Sequence, residues 1–168
     1  MFDAFKFPIL NIFLSFIPAT RLFELKRILL RCFGVEVGEG TRIAGNVRFY
    51  GRGGIRIGNN CWIGIGTVFI VNQSAPISIG NCCDIAPEVL FHTGTHSIGS
   101  STRRAGDGFS REIVVGDGCW IGTRSTLLAG VCIPIGCVVG AGAVVLPRHY
   151  SENSLLAGVP ATLQRDLG

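Results

Sequence analysis

Charge is scarce in this chain: Asp, Glu, Lys and Arg together make 15% of its 168 residues. The formal net charge is only +4, and the basic residues gather in two places, residues 21–31 and Arg103, Arg104 and Arg111, with no long stripe. That pattern argues against nucleic acid as a partner. Disorder is excluded as well, because apolar residues make up 48%. The chain has no CxxC pair and no Cys–His spacing of the zinc-finger kind, and its seven cysteines are an odd number. Disulfide scaffolds belong to oxidising compartments and to small chains that lack a core. A reduced, cytoplasmic setting is therefore expected. An uninterrupted apolar run of the ~20 residues that span a bilayer is missing too. Residues 2–17 (FDAFKFPILNIFLSFI) come nearest, but Asp3, Lys6, Pro8 and Asn11 break the run. The following IPATRLF is a poor cleavage site, so neither export nor a spanning helix is expected.

Glycine, by contrast, is abundant, and it is periodic. From Val115 an aliphatic residue returns every six positions: Val115, Ile121, Leu127, Ile133, Val139, Val145. Four residues after each of the first five stands a smaller one: Cys119, Ser125, Val131, Cys137 and Ala143. The pattern extends back through Val37, Ile43, Phe49, then Ile57, Ile63, Phe69, then Ile79, Ile85, Phe91, and Gly often follows the aliphatic residue. Six is neither the helical period nor the period two of a long strand. It suits a short strand and a turn, with the aliphatic residue inward, Gly allowing the bend and the small residue filling the corner. Three such faces make a triangular coil, and stacked coils pair every backbone group with the coils above and below. The gaps that depart from six, between 49 and 57, 69 and 79, and 91 and 115, each follow the third rung of a set, so all insertions leave the prism at one edge. Fifteen rungs predict an all-β parallel β-helix of about five coils over residues 35–168, preceded by a helical segment, 1–34, and carrying one long loop, 97–112. Cys61, Cys83, Cys119 and Cys137 fall in the small-residue slot, where a thiol acts as a compact hydrophobe.

Several of these rungs are specific. The CWIG rungs, the Thr-x-Thr-His segment at Thr93–His96, the GAGAVV rung at 140–145 and the closing AGVPA at 157–161 resemble the hexapeptide-repeat acyltransferases. More narrowly, roughly residues 35–165 are similar to the maltose and galactoside O-acetyltransferases and the surface-polysaccharide acetyltransferases. The resemblance implies a left-handed β-helix, a homotrimer, and acetyl-CoA lying as acyl donor along a groove between two prisms. It implies no metal. The reaction implied is direct acetyl transfer to an acceptor hydroxyl, here of a sugar or a surface-polysaccharide precursor. An alcohol is a poor nucleophile at neutral pH, and a neutral imidazole that takes its proton during attack contributes typically ~10²–10⁴-fold.

The resemblance makes His96 that general base. His92 follows the inward Phe91 and should point away from the prism, either lining the acceptor pocket, orienting His96 or lying on the surface. Arg103 and Arg104, on the long loop, suit CoA phosphates or an anionic sugar, or are solvated loop charges. For the donor, the resemblance points to Trp120, standing outside the prism or packing between protomers; to Thr123; to Ala141 and Gly142, where a low turn lets a ligand approach the backbone; and to Arg165 near the nucleotide phosphates. Thr162 and Leu146-Pro147 depart from the family pattern at neighbouring positions. Trp62, in the earlier CWIG, reads as structural.

Two other activities compete. A γ-class carbonic anhydrase shares the fold and holds zinc with three histidines, but the third histidine here, His149, is far along the coil axis. An acetyltransferase for an amino sugar or for serine is the other, although the large helical domain usual in the serine enzymes is absent. Residues 19–33 (ATRLFELKRILLRCF) predict a helix with Leu22, Leu25, Leu29 and Phe33 on one broad face and Arg21, Arg27 and Arg31 on the opposite side. Such a segment either caps the first coil or lies at the inner face of a membrane as a peripheral contact.

Overall fold

The computed structural model describes residues 2–168, with side chains described from Phe5 onward. Three parallel sheets form the faces of a prism. The first face stacks Glu36–Val37, Ile55–Ile57, Ile77–Ile79, Ile113–Val115 and Cys132–Ile133. The second stacks Arg42–Ile43, Trp62–Ile63, Asp84–Ile85, Trp120–Ile121 and Val138–Val139, and the third stacks Arg48–Gly51, Val68–Val71, Leu90–His92, Thr126–Leu128 and Val144–Val145. The register places each rung residue on its counterpart a coil away, as in Ile57 on Ile79 and Ile121 on Val139. All fifteen are buried. On the third face Phe49, Phe69 and Phe91 stack nearly parallel, with ring centroids 5.2 and 5.0 Å apart.

The five expected coils are present, and a part of a sixth follows them. Ser154–Gly158 adds to the second face in parallel, with Leu156 inward, and turns back antiparallel through Ala161–Asp166. The period-six pattern stops at Val145 because residues 146–153 leave the prism before the chain rejoins it.

The cysteine column is as expected for Cys61, Cys83, Cys119 and Cys137, all buried. Each thiol also donates to a turn carbonyl, those of Gly80, Gly116, Pro134 and Ser151, at 3.0–3.3 Å. The regular edges turn through left-handed residues. Between the second and third faces these are Asn46, Gly66, Glu88, Arg124 and Gly142.

Helices α1 (Phe2–Ser15) and α2 (Phe23–Cys32) cover the first coil. Phe7, Leu10 and Leu14 of α1 and Leu30 of α2 are buried, and Phe7 packs on Phe49, lengthening the phenylalanine stack. Trp62 meets Phe23 edge-on at 5.9 Å, a packing role. The helix of residues 19–33 is shorter than expected, and its faces are partly exchanged. Lys26 and Arg27 are buried, whereas Leu22 and Leu25 stay exposed. The reason lies in the coil end, which leaves carbonyls with no strand above them. Lys26 Nζ donates to Ile43 O at 3.0 Å and Ala19 O at 2.9 Å. Arg27 donates to Thr41 O and Arg31 Nε to Val37 O. From α1, Asn11 Nδ2 donates to Phe49 O at 2.8 Å and its Oδ1 accepts from Phe49 N–H at 3.0 Å. All three faces are thus closed by side-chain donors. An unpaired buried carbonyl costs about 1–3 kcal/mol, so turning the basic residues inward wins over packing two more leucines.

Candidate active site

The segment expected as a loop over 97–112 is an antiparallel hairpin that begins earlier. Gly94–Ile98 pairs with Ala105–Ser110, with Thr95 opposite Phe109 and His96 opposite Gly108. It leaves the edge between the third and first faces, as predicted for the insertions. The backbones of the two arms pair with each other across the hairpin, so the excursion keeps a defined shape. His96 therefore sits on a strand. Its ring Nδ1 lies 3.0 Å from Gly106 O on the opposite arm. A carbonyl oxygen only accepts, so Nδ1 is the donor here, and in the neutral ring Nε2 then keeps the lone pair.

His92 closes the third-face strand Leu90–His92 with its side chain outside the prism, half-buried. The structure brings it together with His96: both line a cavity of about 580 Å³ with Asn72, Ser74, Gly94, Thr95, Gly108, Phe109 and Ser110. The sequence reading missed Asn72, Ser74, Phe109 and Ser110. Asn72 and Ser74 belong to the shorter insertion after the second coil, which leaves at the same edge one coil below the hairpin; that shared edge was the available signal. Ser74 and Ser110 hydroxyls meet at 3.1 Å, and Asn72 N–H donates to Thr93 Oγ1 at 2.9 Å. Apart from the histidines, the lining is uncharged.

Arg103 and Arg104 stand at the hairpin's turn. Arg104 donates to Gly99 O, and Arg103 lines a second cavity of about 700 Å³ with His96 and Asp107. Neither arginine lines the His92 cavity. His149 is exposed after the last coil. Among the described residues, no group of three His, Cys, Asp or Glu is placed to hold a metal ion.

The residues expected at the donor lie elsewhere on the prism. Thr123, Ala141 and Gly142 adjoin on the edge between the second and third faces, where Gly142 N–H donates to Thr123 O at 2.8 Å. The Thr123 hydroxyl is occupied, donating to Pro87 O at 2.7 Å. Gly142 has φ +68°, and a Cβ there would meet nothing within 4 Å, so the turn is low and open. Beside Thr123, Arg124 hydrogen-bonds Glu88 and holds its carboxyl below the ordinary range. Trp120 is 56% exposed on the second face. Trp120, Val138, Leu155 and Arg165 are successive members of one outward row. The third face separates this group from the histidines.

No family model matches the chain. A candidate acetyltransferase of Dictyostelium discoideum is 33% identical over 144 residues, covering 86% of this chain and 74% of that protein. The galactoside O-acetyltransferase of Escherichia coli is 28% identical over 144 residues, covering 86% and 70%. The structure of a hexapeptide-repeat acetyltransferase of Vibrio cholerae matches with a TM-score of 0.82 at 27% identity, over 99% of this chain and 91% of that one. A second structure of that protein, complexed with acetyl coenzyme A, matches with a TM-score of 0.75 at 24% identity, over 99% and 87%. A stacked-coil prism with a histidine-bearing excursion on one edge defines the class. The chain belongs to the hexapeptide-repeat acyltransferases, and it is an enzyme of acyl transfer.

Proposed function

We propose that the protein is an acetyl-CoA-dependent O-acetyltransferase acting in the cytoplasm on a hydroxyl of a sugar or surface-polysaccharide precursor, with His96 as general base. The contact between His96 Nδ1 and Gly106 O carries most of this reading. It supports the neutral tautomer whose Nε2 can accept a proton, on a residue that lines the cavity. In the proposed step Nε2 takes the acceptor's hydroxyl proton as its oxygen attacks the thioester carbonyl carbon. The carbon–sulfur bond breaks, an ester forms, and the imidazolium returns the proton to the departing thiolate. Asn72, Ser74, Ser110 and His92 offer hydrogen bonds to the acceptor's other hydroxyls, and Phe109 offers a ring for a sugar face. Arg103 and Arg104 lie to one side, where an anionic substituent would meet them. The E. coli relative's galactoside acceptor favours a sugar over the amino-sugar and serine alternatives.

Acetyl-CoA is assigned to the edge at Thr123, Ala141 and Gly142, flanked by Trp120 and ending toward Arg165. The open backbone at Gly142 fits a narrow chain, and the Vibrio relative takes acetyl coenzyme A. On one prism this edge and His96 are a full face apart, so the reading includes a homotrimer in which one protomer's donor edge faces its neighbour's hairpin. The third face favours such packing, because Val68, Leu90, Thr126 and Val144 form an uncharged, half-buried outward row. The test is an acceptor screen with acetyl-CoA and free-thiol detection, beginning with nucleotide sugars and oligosaccharide repeat units, on protein whose solution mass is measured. Acceptor-dependent thiol release from a species near three times 17.9 kDa is expected. Thiol release by an active monomer would refute the shared site.

A further inference from the structure

The inward turn of Lys26 and Arg27 leaves much of the outer surface of the cap to apolar side chains, with Arg21, Glu24 and Arg31 the exposed charges in and beside α2. Phe5, Ile12, Phe13, Phe16, Leu25 and Ile28 are each 47–82% exposed. Phe13 and Phe33 pack at 6.2 Å between ring centroids, joining the two helices into one surface. Large contiguous apolar patches on soluble chains mark interaction sites. This one lies across the end of the prism.

Charge is distributed just as unevenly. Residues 1–56 carry nine Lys or Arg and four Asp or Glu, a net +5, whereas residues 57–168 carry six and seven, a net −1. Lys26, Arg27 and Arg31 are engaged with carbonyls of the first coil and the chain leading into it. Among the described residues, Lys6, Arg21, Arg42 and Arg52 take part in no ion pair. They belong to the helical segment and the first coil, on the side of the molecule that carries the apolar surface. A second copy docked end to end would set one basic end against another. An anionic surface with an apolar interior would complement both features, and no helix among the described residues is long and apolar enough to cross a membrane.

We propose that the outer face of α1 and α2 docks on an anionic lipid bilayer, the apolar residues entering the interface and the basic residues meeting headgroup phosphates. The proposal stands apart from the transfer chemistry, which uses other edges of the prism. The experiment is flotation of the full chain with phosphatidylcholine vesicles, with and without phosphatidylglycerol, at low and high salt. The comparison is with the triple variant Ile12→Asn, Phe16→Ser, Leu25→Gln, whose fold is checked by circular dichroism. The native chain should float with the anionic vesicles at low salt and be partly released at high salt, and the variant should bind about tenfold more weakly. A native chain that stays in solution with both vesicles overturns the proposal, as does a folded variant that floats equally well. A solution mass in the absence of vesicles that falls in the variant would give the face to contacts between copies of the chain, and would overturn it too.

Discussion

Two edges of the same prism have been put to opposite uses. The edge between the second and third faces repeats almost without variation. From the second coil on, each turn ends in a left-handed residue whose N–H donates to a carbonyl one coil away, as Gly66 does to Gly45, Glu88 to Ile65, Arg124 to Pro87 and Gly142 to Thr123. With the backbone satisfied by stacking, the side chains of this edge interact only along the stack, as Thr123 does with Pro87 and Arg124 with Glu88. At Ala141 and Gly142 the edge is low and open, suited to an extended ligand. The edge between the third and first faces is where all the insertions leave. There the backbone needs local partners, Asn72 with Thr93 and Gly94–Ile98 with Ala105–Ser110, and the hairpin holds His96 beside His92, at the end of a prism strand, over a cavity. Regularity makes a track. Interruption makes a place where one proton can be held in one orientation.

The sharpest way to break this contrast is to remove the proton acceptor. His96→Ala should lower turnover by at least ~10²-fold, while the KM for acetyl-CoA and the thermal midpoint stay nearly unchanged. His96 is exposed and its one hydrogen bond is to a carbonyl that solvent can reach, so no packing is lost. Near-native turnover in that variant would leave the interrupted edge without its assigned chemistry.

The regular edge should respond in stability first. At Gly122 an added Cβ would lie 2.6 Å from Ala141 N and 2.6 Å from Val139 O, both backbone atoms of the next coil. Gly122→Ala should therefore cost about 1–3 kcal/mol, read as a lower urea midpoint, with turnover per folded molecule largely kept. An unchanged midpoint would mean that the coils slide more easily than their register implies.

The contrast between edges also explains what the sequence discloses. Fifteen inward rungs, the buried cysteines and the common edge of the insertions follow from a period of six, because each coil repeats one steric environment. His96 was legible through a four-residue motif. Its partner was not: Gly106 acts through a carbonyl, which every residue carries. The hairpin was read as a loop because Gly, Ser and Arg give no strand period, although cross-strand bonding shapes them into one. At α2 the hydrophobic pattern misled for a physical reason. A helix that closes a coil end meets bare carbonyls as well as apolar side chains, and Lys26 and Arg27 answer the carbonyls.

Trp120 sharpens the contrast from the donor side. Its ring is more than half exposed, so little packing depends on it in one protomer. If it flanks the donor, Trp120→Ala should raise the KM for acetyl-CoA roughly tenfold and leave the proposed trimer intact. A fall in assembly at unchanged KM would instead give the ring to the protomer interface.

The smallest effect belongs to the hairpin turn. Arg103 lines the cavity beside Asp107 and stays outside the uncharged cavity that His92 and His96 share. Exposed charges of this kind contribute little and are screened by salt. With a neutral sugar acceptor, Arg103→Ala should change kcat/KM by no more than about threefold. With an acceptor carrying a carboxylate or phosphate, the same variant should lose more, and the difference between native and variant should shrink as salt is added. The paired measurement therefore reads the acceptor's charge from the protein side. A large, salt-insensitive loss with a neutral acceptor would place Arg103 inside the working site, and would extend the chemistry of the interrupted edge beyond the cavity at its base.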